Sequence, residues 1–201
     1  MKDLIRQSNE LSARLGLKYE PVGFMFTDRK PESALSFKKS GGGCIAPLIF
    51  NAAKGKTIAF DRDSTGYPCS AFYLGYADWI FPGIEYFLSK GPFPGRECEF
   101  FVKTPEQAKA YVQSLKSINI RENAIVFKPV SKFEEQEKPE AVILFANPDQ
   151  MSALVFLTHF NDPMSSDRIK TGFASACISF FTIPLQYALK GEKKAFWGLH
   201  D

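Results

Sequence analysis

Four cysteines, Cys44, Cys69, Cys98 and Cys177, are the residues of this sequence best suited to chemistry. Their spacings of 25, 29 and 79 residues fit no zinc ribbon, CxxC redox pair or ferredoxin run. Local context says more than spacing. Cys44 follows Gly41-Gly42-Gly43 at an expected helix start, and Cys69 follows Pro68 at another. A helix N-terminus carries partial positive charge and stabilises a thiolate, so both are candidate reactive thiols or metal ligands. Cys177 follows Ala174-Ser175-Ala176, small residues that let a backbone approach closely. Cys98 stands between Glu97 and Glu99, acids that repel an anionic centre, and it is expected to stay apart from the other three. The plainer reading treats every one of these thiols as a small buried hydrophobe.

Other polar features are weaker. Gly41, Gly42 and Gly43 are candidate cofactor-binding residues, since successive backbone N–H groups ahead of a helix can cradle an anion. The run lacks the lysine and serine or threonine of a P-loop, which argues against a nucleotide, and a flexible turn is the alternative. Nothing sets His159 or His200 beside a cysteine, so both read as structural or exposed. Asp61-Arg62-Asp63 reads as a solvated turn. The aromatic set Tyr73, Tyr76, Trp79, Phe81, Tyr86 and Phe87 suits either a pocket lining or core.

These residues must be positioned by surrounding elements. A helix is expected from Asp3 to Leu15, stopped by Gly16. Strands are expected at Pro21–Phe26, Thr57–Phe60 and Ala124–Phe127, with Pro129 marking a strand end or sheet edge. Short helices should run from Cys44 to about Lys54 and open at Pro68. Phe81 to Gly95, rich in proline and glycine, should be a structured loop holding one helical turn. An internal echo follows: Thr104-Pro105-Glu106-Gln107 and Asn147-Pro148-Asp149-Gln150 share one pattern. Both are capping boxes with proline at the first helical position. Apolar strands are expected before each, at Glu99–Val102 and Ala141–Ala146. Two readings stand: local convergence on good capping chemistry, or duplication of a strand–helix unit.

The whole chain of 201 residues suits a single α+β domain, residues 1–201, with a mixed or mostly antiparallel sheet and packed helices. Apolar residues are 45% and charged residues 23%, which excludes a disordered chain. A net charge of +3 with no basic run argues against nucleic acid. Twenty phenylalanines against two tryptophans point to a core of phenyl rings. Thr171 to Leu189 is uncharged but broken by polar and small residues, so it reads as a buried helix and not a membrane span. The charged start, Met1 to Arg6, lacks the apolar core of a signal peptide, and a cytoplasmic protein with reduced thiols is the expectation.

Taken in order, several of these residues resemble a known family. They are Pro21-Val22-Gly23-Phe24, Cys44 with Gly55-Lys56, Cys69 with Tyr73-Leu74-Gly75, Phe145-Ala146-Asn147-Pro148-Asp149-Gln150, and the small-residue segment around Cys177. Together they resemble domain of unknown function 169, a family of bacterial and archaeal proteins, over almost the whole chain. The resemblance implies that Cys44, Cys69 and Cys177 occupy family cysteine positions, whereas Cys98 is peculiar to this sequence. It also implies that relatives continue past Gly198, so that this chain, ending at Asp201, is expected to be C-terminally shortened.

Three functions compete. One is a metal site, iron–sulfur or zinc, ligated by Cys44, Cys69 and Cys177 and serving a redox-type role. Another is a small-molecule-binding domain without catalysis, and the last is a thiol-dependent enzyme using Cys44 or Cys69. Oligomeric state is not legible at this level.

Overall fold

The computed structural model describes residues 1–36, 45–62, 68–77, 80, 82–90, 97–115, 118–161, 163–164, 167–171, 181–192 and 194–197. Helix α1 (Lys2–Leu15) leads to strand β1 (Val22–Thr27), the short strand β2 (Leu35–Ser36), helix α2 (Ile45–Ala53) and strand β3 (Ile58–Asp61). Helices α3 (Pro68–Tyr73), α4 (Ile84–Phe87) and α5 (Pro105–Ser114) follow. Strand β4 (Ala124–Pro129) comes next, then β5 (Ala141–Ile143), helix α6 (Pro148–His159), strand β6 (Ile169–Thr171), helix α7 (Ile183–Ala188) and strand β7 (Ala195–Trp197).

Five strands form a sheet in the order β2-β3-β4-β1-β5. Pairing is antiparallel except between β2 and β3, so the sheet is mixed and mostly antiparallel, as expected for an α+β domain. β6 and β7 make a separate parallel pair. The central strand β4 is buried at all six positions, and Pro129 stands at its end, where a missing donor costs no ladder bond.

Register sets the core. Phe24 lies opposite Phe127, Phe26 opposite Ile125, and Ile58 opposite Phe127 on the other side. Side chains alternate across a strand, so these residues share one face with Val22 and Phe60. Helix α2 covers that face with Ile45, Leu48, Ile49 and Ala52, a stripe at helical spacing that is buried throughout.

The opposite face is closed by the chain between β4 and β5. Val130 N–H donates to the Pro21 carbonyl and Glu140 N–H to the Phe24 carbonyl, each at 2.8 Å. Phe133 lies against Gly23: a methyl group there would come within 2.7 Å of the ring, so only glycine fits without repacking. Lys128 points from β4 to this side, 6% exposed, and donates to both carboxylate oxygens of Glu137 at 2.7 and 2.6 Å. Its ammonium sits 4.8 Å from the centre of the Phe133 ring.

Both capping boxes form. Gln107 N–H donates to Thr104 Oγ1 and Thr104 N–H to Gln107 Oε1; the Asn147–Gln150 box repeats this at 2.9 Å in each direction. Gln150 does more, since its amide also donates to the carbonyls of Leu15 and Gly16 at the end of α1. Gly16 adopts φ 63°, the left-handed stop its sequence position announces.

The echo ends at the helix starts. β5 precedes α6, but Glu99–Val102 is not a strand: Glu99 N–H donates to the Phe87 carbonyl and Val102 N–H to that of Leu88. The segment thus spends its donors on the end of α4, and Phe100 takes φ 52° to do so. Of the helix expected from Thr171 to Leu189, residues 172–180 lie outside the described residues; Thr171 itself closes β6 opposite Trp197, and the described end is helical, a π turn at 181–182 running into α7 with Pro184 in its first turn. Among the described residues no helix is long and apolar enough to cross a membrane.

This packing sets the cost of three substitutions. Lys128→Met should cost roughly 3 kcal/mol by leaving Glu137 mostly buried without its partner, and adding Glu137→Gln should recover most of that loss in urea titrations. Gly16→Ala, with open space around the added methyl, should cost about 1 kcal/mol. Gly75→Ala should abolish folding, because at φ 74° its methyl would fall 1.6 Å from the backbone carbonyl oxygen of Ile118.

Candidate functional site

Gly41, Gly42, Gly43, Cys44 and Cys177 lie outside the described residues, and so does the side chain of Cys69. Described residues one to five positions further along the chain converge. Ile45, next to Cys44, opens α2 and is buried against the sheet. Cys69 is the second residue of α3, whose last residue, Tyr73, enters the same core cluster with Leu74. Phe181 and Thr182 follow Cys177 by four and five positions, and both are buried. The Phe181 ring sits 4.8 Å from that of Phe24 and 5.5 Å from that of Phe127. Thr182 Oγ1 donates to the Tyr73 carbonyl at 3.3 Å, tying the chain beyond Cys177 to the helix that carries Cys69.

Cys98 belongs elsewhere. It is a half-buried free thiol on the segment that hooks onto the end of α4. That region packs around a second cluster of Ile84, Leu88, Ala108 and Val112. Among the described residues no three of histidine, cysteine, aspartate and glutamate come together in a group able to hold a metal ion.

Of Asp61-Arg62-Asp63, read as a solvated turn, Asp63 lies outside the described residues, Arg62 is exposed, and Asp61 belongs to a strand. Asp61 closes β3 and pairs with Lys30 at 2.7 Å, its side chain 17% exposed. Arg62 donates to the Ile120 carbonyl at 2.7 Å, and its guanidinium lies 4.7 Å from the centre of the Tyr76 ring. Tyr76 in turn stacks parallel to Phe60, with centroids 5.8 Å apart. Of the expected aromatic lining, Tyr73 is core, Tyr86 is exposed, and Trp79 and Phe81 lie outside the described residues. His159 ends α6 with Nδ1 3.0 Å from the Val155 carbonyl, a local contact within its own helix.

Sequence reasoning missed two polar features. The first is the buried Lys128–Glu137 pair, whose only signal was a lysine inside the apolar run Ala124–Pro129. The second is a pair of buried phenols. The hydroxyls of Tyr76 and Tyr111 have no hydrogen-bond partner among the described residues, and both rings pack against the main cluster. Burial pushes the Tyr76 phenol well above its ordinary range; the nearby Arg62 charge opposes this, while Asp61 and Glu122 reinforce it. Burial alone pushes Tyr111 up to about 12. Both therefore remain neutral donors at physiological pH.

The chain matches the DUF169 family, described as an uncharacterised ArCR, over residues 10–192. No curated protein and no solved structure matches it.

The raised phenol of Tyr111 sets an alkaline limit. The folded state holds this proton more tightly than the unfolded chain, so its contribution is complete below pH 10 and is lost as pH climbs through about 12. Tyr111→Phe should flatten that alkaline loss in denaturation midpoints measured across the range. At neutral pH it should leave stability unchanged or raise it by up to about 1 kcal/mol, since the buried hydroxyl has no partner to lose.

Proposed function

The chain belongs to the DUF169 family, and from the convergence described above we propose that it holds a cysteine-ligated metal centre with a redox-type role. The ligands are Cys44, Cys69 and Cys177, and the group is an iron–sulfur cluster or a zinc ion. Thiolates are the protein donors that such soft centres prefer, and three of them leave a position for substrate or a further donor. When bound, a cluster supplies one-electron transfer and zinc supplies Lewis acidity.

One observation supports the reading: Ile45, Tyr73 and Phe181, which follow Cys44, Cys69 and Cys177 by one, four and four positions, meet in one buried cluster, with Thr182 bonded to the carbonyl of Tyr73 and Phe181 seated on Phe24 and Phe127. Cys98, next to Glu99 on the segment that bonds to the end of α4, is left out of the ligand set. Gly41, Gly42 and Gly43 would offer backbone donors toward the sulfurs or a bound anion, next to the positive end of α2. Helix α2 suits this place because no charged residue occurs along its nine positions to compete for the dipole.

A second reading draws on the buried hydroxyls of Tyr76 and Tyr111, which suit a small molecule bearing acceptors beside the aromatic cluster. Under that reading, a ligand would raise the melting temperature equally in wild type and in the Cys44→Ser, Cys69→Ser double variant.

The metal centre is tested by anaerobic purification followed by elemental and sulfide analysis. Brown protein with iron and labile sulfide, or colourless protein with about one zinc per chain, is the expected result. Cys44→Ser, Cys69→Ser and Cys177→Ser should each remove most of the metal, while Cys98→Ser should keep it. Protein free of metal under these conditions, or equal metal in all four variants, would overturn the assignment.

A further inference from the structure

Helix α6 is packed unlike the others. Its sequence, Pro-Asp-Gln-Met-Ser-Ala-Leu-Val-Phe-Leu-Thr-His, is apolar around most of its circumference, yet none of its twelve residues is buried. A helix that is hydrophobic all round belongs in an interior. Twelve residues are also too few to stay helical in water without packing. The described hydrogen bonds to neighbouring elements come from one end, where Gln150 reaches the end of α1. Toward the other end Phe156 is 67% exposed, Leu157 50% and Phe160 66%, with Met164 just beyond at 88%.

We propose that this face joins two copies of the chain in a symmetric dimer, with α6 of one protomer crossing α6 of the other. Size favours that occupant. A whole phenylalanine presents about 200 Å², so the two exposed rings leave roughly 130 Å² each bare. Leu157 and Met164 bring the apolar total to roughly 500 Å². A stable interface buries about 800 Å² per partner, of which about 60% is apolar, so the patch matches one half of a dimer.

Shape and charge point the same way. The Phe156 and Phe160 rings touch, with centroids 5.7 Å apart, and so build a ridge one helical turn long. Ridges at this spacing fit the grooves of an identical helix. From Gln150 to Asn161 there is no lysine, arginine, aspartate or glutamate. Two copies therefore meet without like-charge repulsion, while a charged partner finds nothing to pair with. A two-fold axis perpendicular to α6 sets the helices antiparallel, so that opposite dipole ends face one another.

Sedimentation equilibrium of the full chain tests this. Wild type should sediment at twice the 22.6 kDa chain mass. The Phe156→Glu, Phe160→Glu double variant should be monomeric, or bind itself at least about tenfold more weakly, with an unchanged circular dichroism spectrum. Should the double variant lose its fold, Leu157→Gln is read in the same way. A wild type that stays monomeric up to about 100 µM overturns the proposal, as does a folded variant that dimerises as tightly as wild type. Monomeric wild type that co-sediments with phosphatidylcholine vesicles would give the face to lipid instead.

Discussion

The contact among Phe24, Phe127 and Phe181 holds the architecture together. Two of these rings come from the paired central strands, and the third comes from the far end of the sequence. Edge and tilted ring contacts add to the energy of burial itself, and here all three rings are fully buried. The consequence is topological. A chain that leaves the sheet after β5 must return through residue 181 to the face that α2 already covers. Phe181 thereby joins Ile45 and Tyr73 in the same core.

The other face of the sheet follows a different logic. Gly23 leaves a notch on β1, Phe133 fills it, and the ring then lies beside the Lys128 ammonium. A charge on a central strand is costly to bury. Here Glu137 neutralises it at hydrogen-bond distance, and Glu137 also accepts the backbone N–H of Glu134. The arrangement fixes the path of the 130–140 chain more than it adds stability.

Much of this was legible from sequence because the signals were local. Gly16 stops α1, Pro68 opens α3, and the Thr104 and Asn147 boxes start their helices where the side-chain chemistry says. The mixed sheet followed from short apolar runs. What failed depended on distant partners. Glu99–Val102 has the composition of a strand, but no strand edge reaches it, and its donors go to α4 instead. Asp61 and Arg62 give no sign in the sequence of the contacts they make with Lys30, Ile120 and Tyr76 from other elements. Of the candidate site, the role of Phe181 as an anchor was not readable. A phenylalanine among twenty carries no mark of which other two it will meet.

Gln150 and Gln107 occupy the same position in equivalent boxes, yet evolution has unequal freedom at them. Glutamate closes a capping box as well as glutamine does, because the box needs only an acceptor for the backbone N–H. At 107 that exchange costs little. At 150 the amide also donates to the Leu15 and Gly16 carbonyls, and a carboxylate there would set its oxygens against theirs. Drift between glutamine and glutamate is therefore open at one box and closed at the other, so that sequences sharing this docking of α1 should keep the amide at 150 while 107 wanders.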